Sequence, residues 1–325
     1  MIKVCHMTSA HEEEDIRIFR KECVSLAEAG YDVYLVERGD SYDKNGVHIV
    51  GVGEIPTSRL KRMTEGAKMV YQAARALDAD IYHFHDPELL PYGLKLKKAG
   101  KKVLFDSHEM YTEQIREKPY LPHWFARLLS HAYGKYESHV LGRIDGLVYT
   151  CLKDGVHPFA GKCRHITTID NTPMLWELYD RYDPAAKKEA GSVVYVGGLS
   201  YARGITHLIP AAAKADCTLY LAGMFDSEEY RHTVEALPGY SCVQYLGLLG
   251  REQVVALLQR CCVGAATLLN IGQYNQDDNL ATKVYEYMSL GIPVLLSRSA
   301  YNERVMNQYH FGLCVEPDNV DELAQ

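Results

Sequence analysis

A chain of 325 residues, 47% hydrophobic and 24% charged, has an ordinary globular composition and exceeds what one hydrophobic core usually supports, so two domains are expected. A formal net charge of −7, with no block of five or more basic residues, disfavours a nucleic-acid partner. Nine scattered cysteines without C-x-x-C spacing, an N-terminus unlike a leader and no run of eighteen apolar residues indicate a soluble, cytoplasmic protein.

The first half of the chain alternates strand patterns with helical patterns. The predicted strands are Ile2–Met7, Tyr31–Val36, Val47–Val50, Ile81–His85, Val103–Asp106 and Gly146–Thr150. Helices are predicted near residues 15–29, 58–77, 88–99 and 121–142. Because such alternation requires crossover connections, it predicts a mostly parallel sheet covered on both faces. We interpret residues 1–172 as one doubly wound, Rossmann-like domain.

A second domain of the same kind follows a break in the pattern. Residues 173–190 contain two prolines, clustered charges and no clear period, which predicts an interdomain linker. Alternation restarts over residues 191–325, with predicted strands at Ser192–Val196, Thr218–Ala222, Cys242–Leu246, Gly264–Leu268 and Pro293–Ser297. Helices are predicted near 203–214, 227–236, 251–260 and 282–290. The predicted fold class is therefore α/β, with two doubly wound domains that face each other across a cleft.

The segment DDNLATKVYEYMSLGIPVLLS, residues 277–297, places a lysine at a predicted helix start. Thr282 is the predicted N-cap, and Gly291 suits a left-handed C-cap. Lys283 then lies beside backbone N–H groups that carry partial positive charge, which is unfavourable unless an anion binds there. Two explanations fit: a phosphate binds at this helix start, or Lys283 and Glu286 pair at i, i+3 on a solvated face.

A glycine-rich turn, GGLSYARG, follows the first predicted strand of the second domain. It runs from Gly197 to Gly204 and enters a helix with Arg203 at its start. Glycines let backbone N–H groups approach an anion, and an arginine fork holds phosphate oxygens; a glycine turn with a surface arginine is the plainer alternative. The turn is not G-x-G-x-x-G, which argues against dinucleotide binding. If Arg203 and Lys283 both face the cleft, they clamp a diphosphate, and Glu286 is placed to accept hydrogen bonds from a ribose.

Taken together, these residues resemble the retaining glycosyltransferases of family 4, which have the GT-B fold. The resemblance runs through HEEEDIRIFRKECVSLAEAGYDV, IYHFHDPELLPYG, VLFDSHE, VYVGGLSYARGI, VQYLGLLGREQV and TKVYEYMSLGIPV. It implies hexosyltransferase-like transfer of a sugar from a nucleotide sugar to a hydroxyl of a glycan or lipid-linked acceptor, with retention, in cell-surface polysaccharide or glycan assembly. It also implies no metal and no other cofactor, because cations and helix N-termini stabilise the leaving diphosphate.

The resemblance assigns donor-site roles in the second domain. Glu286 matches the second acid of a pair spaced eight apart and is implied to bind the donor ribose. Asp278 occupies the first position of that pair, where most members have a glutamate near the donor sugar. Gly198 stands where many members have a further arginine. The residues implied to bind the donor diphosphate are Gly197, Gly198, Arg203 and Lys283.

The first domain is implied to contribute a histidine and the acceptor site. His108, in FDSHE, resembles a histidine that contacts the donor sugar, and it joins Asp278 and Glu286 as the catalytic candidates. The pair His85–Asp86 ends a predicted strand, which favours acceptor binding there. The acceptor-side candidates are Asp15, Arg17, His85, Asp86 and Glu109.

Two patterns raise the question of a metal. Residues 78–80 match the D-x-D metal motif but precede a strand, at the end of the sheet away from the cleft. His83 and His85 share one strand face and with Asp86 have the donors of a zinc site; hydrogen bonding to neighbouring loops is the alternative. We predict no metal site.

The segment PYLPHWFARLLSHAYGKY, residues 119–136, mixes apolar with basic side chains. They are Trp124, Phe125, Leu128 and Leu129 with Arg127 and Lys135. The mixture predicts either peripheral contact with a membrane that presents a lipid-linked acceptor or a helix that faces the core.

The end of the chain and the rival functions complete the expectations. The sequence stops at VDELAQ inside a predicted helix, whereas the resemblance implies a further terminal helix. A sugar-nucleotide epimerase of the same fold is one alternative function and requires acid/base carboxylates that face the sugar. A nucleotide-sugar-binding protein without transfer is the other, suggested by Asp278 and Gly198.

Overall fold

The computed structural model describes residues 1–116, 118, 121–153, 155–271, 274–275 and 278–325. Pro119 and Tyr120 of the aromatic segment, and Asp277 at the start of the lysine-bearing segment, lie outside the described residues. The chain divides into two compact units, Met1–Cys151 with Val156–Asp170 and Leu152–Gly155 with Asn171–Gln325.

Among the described residues, the first unit contains one eight-stranded sheet. Its strands are β1 (Lys3–Met7), β2 (Asp32–Glu37), β3 (Tyr42–Lys44), β4 (Val47–Gly51), β5 (Ile81–Phe84), β6 (Lys102–Ser107), β7 (Gly146–Tyr149) and β8 (His165–Thr168). The order across the sheet is β3-β4-β2-β1-β5-β6-β7-β8, and every neighbouring pair is parallel except β3 with β4. Strand interiors such as Val33 and Leu35 are fully buried, as a sheet covered on both faces requires.

Helical segments alternate with these strands. They are Ile16–Cys23, Val24–Glu28, Arg59–Lys61, Arg62–Gly66, Ala67–Ala76, Pro87–Leu89, Leu90–Lys98, Tyr111–Arg116 and His123–Leu141. The first begins at Asp15, whose Oδ1 accepts hydrogen bonds from the backbone N–H groups of Arg17 (2.8 Å) and Ile18 (3.0 Å). Asp15 is therefore a helix N-cap through its Oδ1 atom, and its role towards the acceptor stays a prediction.

The second unit contains one six-stranded sheet in the part of the chain that the structure describes. Its strands are β9 (Ser192–Val196), β10 (Thr218–Ala222), β11 (Val243–Gly247), β12 (Val263–Ala266), β13 (Val294–Ser297) and β14 (Gly312–Val315). The order is β11-β10-β9-β12-β13-β14, with all pairs parallel. Its helical segments are Leu175–Leu178, Tyr179–Arg181, Tyr201–Arg203, Ile205–Lys214, Glu228–Glu235, Tyr240–Cys242, Arg251–Arg260, Thr282–Ser289, Ala300–Tyr309 and Val320–Ala324. Two Rossmann-like α/β domains confirm the predicted fold class.

The segment interpreted as a linker, residues 173–190, folds with the second unit. It contains two helical segments, and Leu178, the last residue of the first, is fully buried in the core of that unit. Tyr182 packs so closely on Gly291 that a Cβ at Gly291 would lie 3.1 Å from its ring.

Each sheet has a point where the strand order reverses. In the first sheet β1 lies between β2 and β5, and the later strands continue on the β5 side. In the second sheet β9 lies between β10 and β12, and the later strands continue on the β12 side. The carboxyl ends of strands at such a switch point form a crevice in which ligands bind. Functional side chains are therefore to be sought after β1, β5 and β6, and after β9 and β12.

Two local expectations change in detail. The lysine-bearing helix spans Thr282–Ser289 with Ala281 as N-cap, so Thr282 is its first residue and does not cap it. Gly291 does adopt the left-handed conformation, with φ of +64°.

In the helix His123–Leu141, Trp124 is 70% and Leu128 58% exposed, so the alternative in which these side chains face the core is wrong. In the part of the chain that the structure describes, every helix falls short of the length and apolarity that a bilayer crossing requires.

Candidate functional site

The loop after β9 packs its backbone tightly against neighbouring loops. A Cβ at Gly223 (φ +148°) would lie 1.9 Å from the carbonyl oxygen of Gly197, and a Cβ at Gly204 (φ +74°) would lie 2.0 Å from that of Thr267. Both positions therefore require glycine. At Gly198 the opposite holds: among the described residues, no atom lies within 4 Å of an added Cβ. Backbone atoms therefore fill the space at Gly223 and Gly204, whereas the space beside Gly198 can admit a ligand.

Lys283 lies directly behind this turn. Its Nζ is 3.2 Å from where a Cβ of Gly197 would stand and 3.4 Å from the ring centroid of Tyr195. The residue is 7% exposed, and Nζ has no hydrogen-bond partner among the described residues. Burial lowers the pKa of Lys283 well below its ordinary value, and the charge of Arg203 lowers it further. A buried ammonium without an anionic partner is costly, so this position favours an anion.

Arg203 ends the short helical segment Tyr201–Arg203, immediately before Gly204. It is half-buried, and its guanidinium carbon lies 4.8 Å from the ring centroid of Tyr274. Arg203 lies in the loop that follows β9, the same loop whose Gly197 adjoins Lys283 Nζ, and its charge lowers the pKa of Lys283.

Glu286 pairs with an arginine that the sequence analysis did not assign. Arg251 Nη1 donates to Glu286 Oε1 at 2.8 Å, and the glutamate side chain is only 13% exposed. Arg251 opens the helix Arg251–Arg260 after β11, so it is a third cation at a helix start in this unit. Since Lys283 is buried and Glu286 bonds Arg251, the alternative of a solvated Lys283–Glu286 pair is wrong. The helix-initiating arginine in GREQV was the available signal.

Asp278 is engaged with a different part of the second unit. Its backbone N–H donates to the carbonyl of Leu152 at 2.8 Å, and its Oδ2 accepts from the N–H of Gly155 at 2.5 Å. Arg304 Nη2 lies 3.7 Å from Oδ1, and the side chain is 10% exposed. These contacts fasten the segment Leu152–Gly155 to the second unit, a structural role that the sequence did not indicate.

In the first unit, Asp86 joins the loop after β1 to the end of β5. It is 1% exposed, and its Oδ2 accepts hydrogen bonds from the Ser9 N–H at 2.6 Å and the Thr8 hydroxyl at 2.9 Å. His11 Nδ1 lies 3.2 Å from its other oxygen. Burial acts to raise the pKa of Asp86, but His11, Ser9 and Thr8 hold it at about 2. Burial likewise acts to lower the pKa of His11, and the carboxylate raises it instead.

Arg17 is a buried clamp on Asp106. Its Nε and Nη2 donate to the two carboxylate oxygens of Asp106 at 3.0 and 3.1 Å, and Nη1 donates to the carbonyl of Ile169 at 3.2 Å. Burial acts to raise the pKa of Asp106, but hydrogen bonds from His108 and His85 hold it well below its usual range. Arg17 therefore organises the first unit internally.

His85 and His108 continue this polar network. His85 is fully buried, and its Nδ1 lies 3.2 Å from His108 Nε2 and 3.5 Å from Asp106 Oδ2. Burial lowers the pKa of His85 to about 3. His108 keeps 15% of its side chain exposed and packs on His11 with ring centroids 4.7 Å apart. Glu109 follows at the same edge and is half-buried. Of these, His108, Glu109 and His11 are partly exposed.

The D-x-D residues lie at the other end of that sheet. Asp80 accepts a hydrogen bond from the backbone N–H of Lys3 at 2.8 Å, and Asp78 pairs with Lys101 at 2.7 Å. Both precede β5, at the amino ends of the strands. Asp78 and Asp80 therefore have Lys101 and the backbone of Lys3 as partners at the amino ends of the strands.

Two family models match separate parts of the chain. Residues 19–152 match the model described as Glycosyltransferase Family 4, and residues 180–325 match the model described as Glycosyl transferases group 1. Together the two models span most of both units. No curated protein sequence matches the chain at a significant level.

Solved structures share the fold at low sequence identity. Sucrose-phosphate synthase from Thermosynechococcus elongatus is 16% identical with a TM-score of 0.74, and the similarity covers 100% of this chain and 88% of that one. WaaG, a glycosyltransferase involved in lipopolysaccharide biosynthesis, is 14% identical with a TM-score of 0.67 over 100% of this chain and 88% of that one. The lipopolysaccharide outer core galactosyltransferase WaaB is 15% identical with a TM-score of 0.59 over 99% and 88%.

Proposed function

This chain belongs to the group 1 and family 4 glycosyltransferases of GT-B type, and we propose that it moves a hexosyl group from a nucleotide-diphosphate donor to a hydroxyl acceptor, with retention. The observation that carries the proposal is the buried Lys283 ammonium, which has no hydrogen-bond partner among the described residues and stands behind the glycine turn. A donor diphosphate supplies the anion that this position favours.

The diphosphate binds over the turn at Gly197 and Gly198. The space at Gly198 admits phosphate oxygens, while Lys283 and Arg203 supply positive charge from below and beside them. Charges fixed in place before the reaction stabilise a leaving group at no reorganisation cost, and each is worth roughly 3–4 kcal/mol in the transition state. The two side chains therefore neutralise the charge of the leaving diphosphate, a role that a divalent cation has in other transferases.

Glu286 binds the ribose of the donor. Its Oε1 is held by Arg251 at 2.8 Å, which fixes the direction of the carboxylate. The remaining acceptor positions of an ionised carboxylate are then free to take hydrogen bonds from a ribose diol. Arg251 acts as a positioning residue for Glu286.

In the transfer step, the bond between the anomeric carbon and the diphosphate oxygen breaks, and its electron pair stays on the leaving diphosphate. The acceptor oxygen bonds to the anomeric carbon on the same face, and its proton passes to the leaving phosphate. His108, with part of its ring exposed beside His11 and Glu109, is the side chain of the first unit that we assign to the donor sugar and acceptor edge.

The acceptor comes from cell-surface polysaccharide or glycan assembly. Two of the structural relatives are described as lipopolysaccharide enzymes, which supports this class of acceptor. Such acceptors are commonly carried on lipids, so a membrane-contacting surface is expected on the chain.

The helix His123–Leu141 has such a surface. Exposed Trp124 and Leu128 lie beside a basic pocket lined by Arg116, His123, Arg127 and His131. Aromatic and basic side chains on one face bind the interface of an anionic bilayer. We expect Trp124→Ser to reduce co-sedimentation with anionic liposomes, whereas Trp176→Ser, at an exposed tryptophan of the second unit, leaves it unchanged. Equal sedimentation of Trp124→Ser and the unchanged protein would contradict membrane contact.

Thermal unfolding with nucleoside diphosphates tests the donor proposal. A ligand at 100 times its Kd stabilises the folded protein by about 2.7 kcal/mol, so the preferred base is seen directly as a rise in Tm. The donor sugar is then incubated with and without acceptor. Transfer requires the acceptor, whereas isomerised nucleotide sugar from the donor alone identifies an epimerase.

Binding without transfer is the second candidate, and Asp278 favours it. Its carboxylate is engaged with Gly155 and Arg304, so the acid expected near the donor sugar has other partners. This function predicts a Tm rise with nucleotide but no product with any acceptor in an acceptor panel.

A further inference from the structure

The first unit contains a buried cluster of imidazoles and one carboxylate that the proposed sugar transfer does not use. It lies at the switch point between β1 and β5. Contrary to the expectation of no metal from the sequence, we propose that this unit binds a zinc ion through four ligands: His6, Glu22, His83 and His85. The ion is separate from the transfer step, in which side chains of the second unit hold the diphosphate.

Strand register brings the three histidines together. His6 of β1 stands opposite His83 of β5, and His85 lies two residues further along the same strand direction. Alternate residues of a strand share a face, so His83 and His85 point to the same side. Glu22 belongs to the helix Ile16–Cys23, and its carboxylate lies against the face of the sheet that carries these histidines. One donor atom from each of the four residues lies within 4.8 Å of all the others.

The donor–donor distances are compatible with a distorted tetrahedron, since four of the six edges measure 3.0–3.9 Å and the other two are at most 4.8 Å. Glu22 Oε2 is 3.9 Å from His6 Nδ1, from His83 Nδ1 and from His85 Nε2. His6 Nδ1 and His85 Nε2 are 3.0 Å apart. An ion at the centre of a regular tetrahedron with 3.9 Å edges would lie about 2.4 Å from each corner, within a few tenths of an ångström of Zn–N and Zn–O bonds of ~2.0–2.2 Å. Small side-chain movements close the difference.

The surroundings of His85 fit a metal ligand. Its Nδ1 faces the Asp106 carboxylate at 3.5 Å, while Nε2 faces the other three donors. A ligating histidine usually directs its second nitrogen to a carboxylate, which fixes the tautomer and leaves the other nitrogen's lone pair for the metal. Asp106 is itself held by Arg17 through two hydrogen bonds.

Hydrogen bonding within the cluster leaves donors and acceptors unsatisfied. Neither carboxylate oxygen of Glu22 has a hydrogen-bond partner among the described residues; Arg17 Nε lies 3.1 Å from Oε1 without hydrogen-bond geometry. The separation of 3.9 Å from three ring nitrogens is too long for a hydrogen bond. Arg17 pairs with Oε1 of Glu22, and a cation between the three ring nitrogens and Oε2 would supply a partner for the other oxygen.

Four protein ligands and burial indicate a closed, structural site. His6 and His85 are fully buried and His83 is 7% exposed. Closed four-coordinate sites of this kind hold zinc structurally, and three imidazoles with one carboxylate suit it. The ion would fix the helix Ile16–Cys23 to the sheet directly beneath the His108 edge.

Metal analysis of tag-free protein tests this proposal. We expect about one zinc per chain by mass spectrometry after gel filtration, and intense visible bands of tetrahedral cobalt when the chelator-stripped protein takes up Co²⁺. Glu22→Gln and His83→Gln should each lower zinc affinity at least tenfold. His48→Gln, at an exposed histidine of β4 that pairs with Asp43, is the matched control and should keep full zinc content.

The outcomes separate cleanly. Stripped wild-type protein that takes up neither zinc nor cobalt would overturn the proposal, as would undiminished zinc in folded Glu22→Gln and His83→Gln. If these variants fail to fold, the stoichiometry and cobalt spectrum of the wild-type protein decide alone: tetrahedral bands at one ion per chain support the site, and octahedral or absent bands refute it.

Discussion

The two units bury charge at equivalent switch points and satisfy it differently. In the first unit, Arg17 donates two hydrogen bonds to Asp106, and Asp86 accepts from Ser9 and Thr8. In the second unit, the ammonium of Lys283 has no hydrogen-bond partner among the described residues. The first unit uses these charges to hold its own loops, whereas the second holds one charge ready for a ligand.

This difference teaches that burial alone does not identify a ligand-binding charge. The partners of the buried group decide, because a paired charge contributes to the fold and an unpaired one costs stability until an anion binds. Opposite effects on stability are therefore expected when the two kinds of charge are removed.

The largest effect is expected in the first unit. Arg17→Met leaves the fully buried Asp106 carboxylate without its guanidinium partner, and breaking such a pair costs about 3–5 kcal/mol. Denaturant unfolding measures this loss. Arg20→Met, at an exposed arginine one turn away, should stay within about 0.5 kcal/mol of wild type. An Arg17→Met protein as stable as the control would remove the contrast between the units.

Lys283→Met should change stability in the other direction. Removing this buried ammonium, which contacts the Tyr195 ring but has no hydrogen-bond partner among the described residues, should stabilise the ligand-free protein by about 1–3 kcal/mol. The same change should lower kcat/KM by about 10²-fold, since one charge on the leaving diphosphate is lost. Lys187→Met, at an exposed lysine of the same unit, should alter neither quantity. A less stable or fully active Lys283→Met protein would count against the assignment.

Arg251→Ala should have a smaller effect, on donor binding. Without its 2.8 Å partner, Glu286 loses its fixed orientation, so KM for the donor should rise about tenfold with kcat little changed. Arg251→Lys should recover part of the loss. Steady-state kinetics at varied donor concentration distinguish this from a stability defect, which would lower the active fraction and leave KM unaltered.

The smallest expected effect is a change in protonation. Burial and Arg203 lower the pKa of Lys283 in the free protein, and a bound diphosphate raises it again. Binding should therefore take up a fraction of a proton and weaken as pH rises above the lowered pKa of the free protein. Calorimetry in buffers with different ionisation heats measures the uptake. Equal uptake by Lys283→Met would assign the proton to another group.

The sequence predicted the strands that lie inside the sheets. Continuous apolar runs such as Ser192–Val196 and Thr218–Ala222 coincide with β9 and β10, because a buried parallel strand needs apolar residues on both faces. It missed β3, β8 and β14, which are short strands at the edges of the two sheets. The hairpin of β3 turns at Asn45 and Gly46, both with positive φ, so its turn signal was present but its strand pattern was too short.

The sequence predicted which residue types form the candidate site, but it did not predict which side chains pair with one another there. Glycines and cations at helix starts could be read locally, which pointed to Arg203 and Lys283. The burial of Lys283 behind Gly197 and the Arg251–Glu286 pair depend on contacts across many residues of sequence. The same holds for His6, whose position opposite His83 follows from strand pairing and not from any motif.

A crystal structure of the protein with its preferred nucleoside diphosphate tests the central claim most directly. The measured quantity is the distance from Lys283 Nζ to the nearest phosphate oxygen. The account predicts a charge-assisted hydrogen bond of about 2.7–2.9 Å, with the diphosphate over Gly197 and Gly198. A diphosphate bound elsewhere, with Nζ still against the Tyr195 ring and no phosphate oxygen within reach, would contradict it.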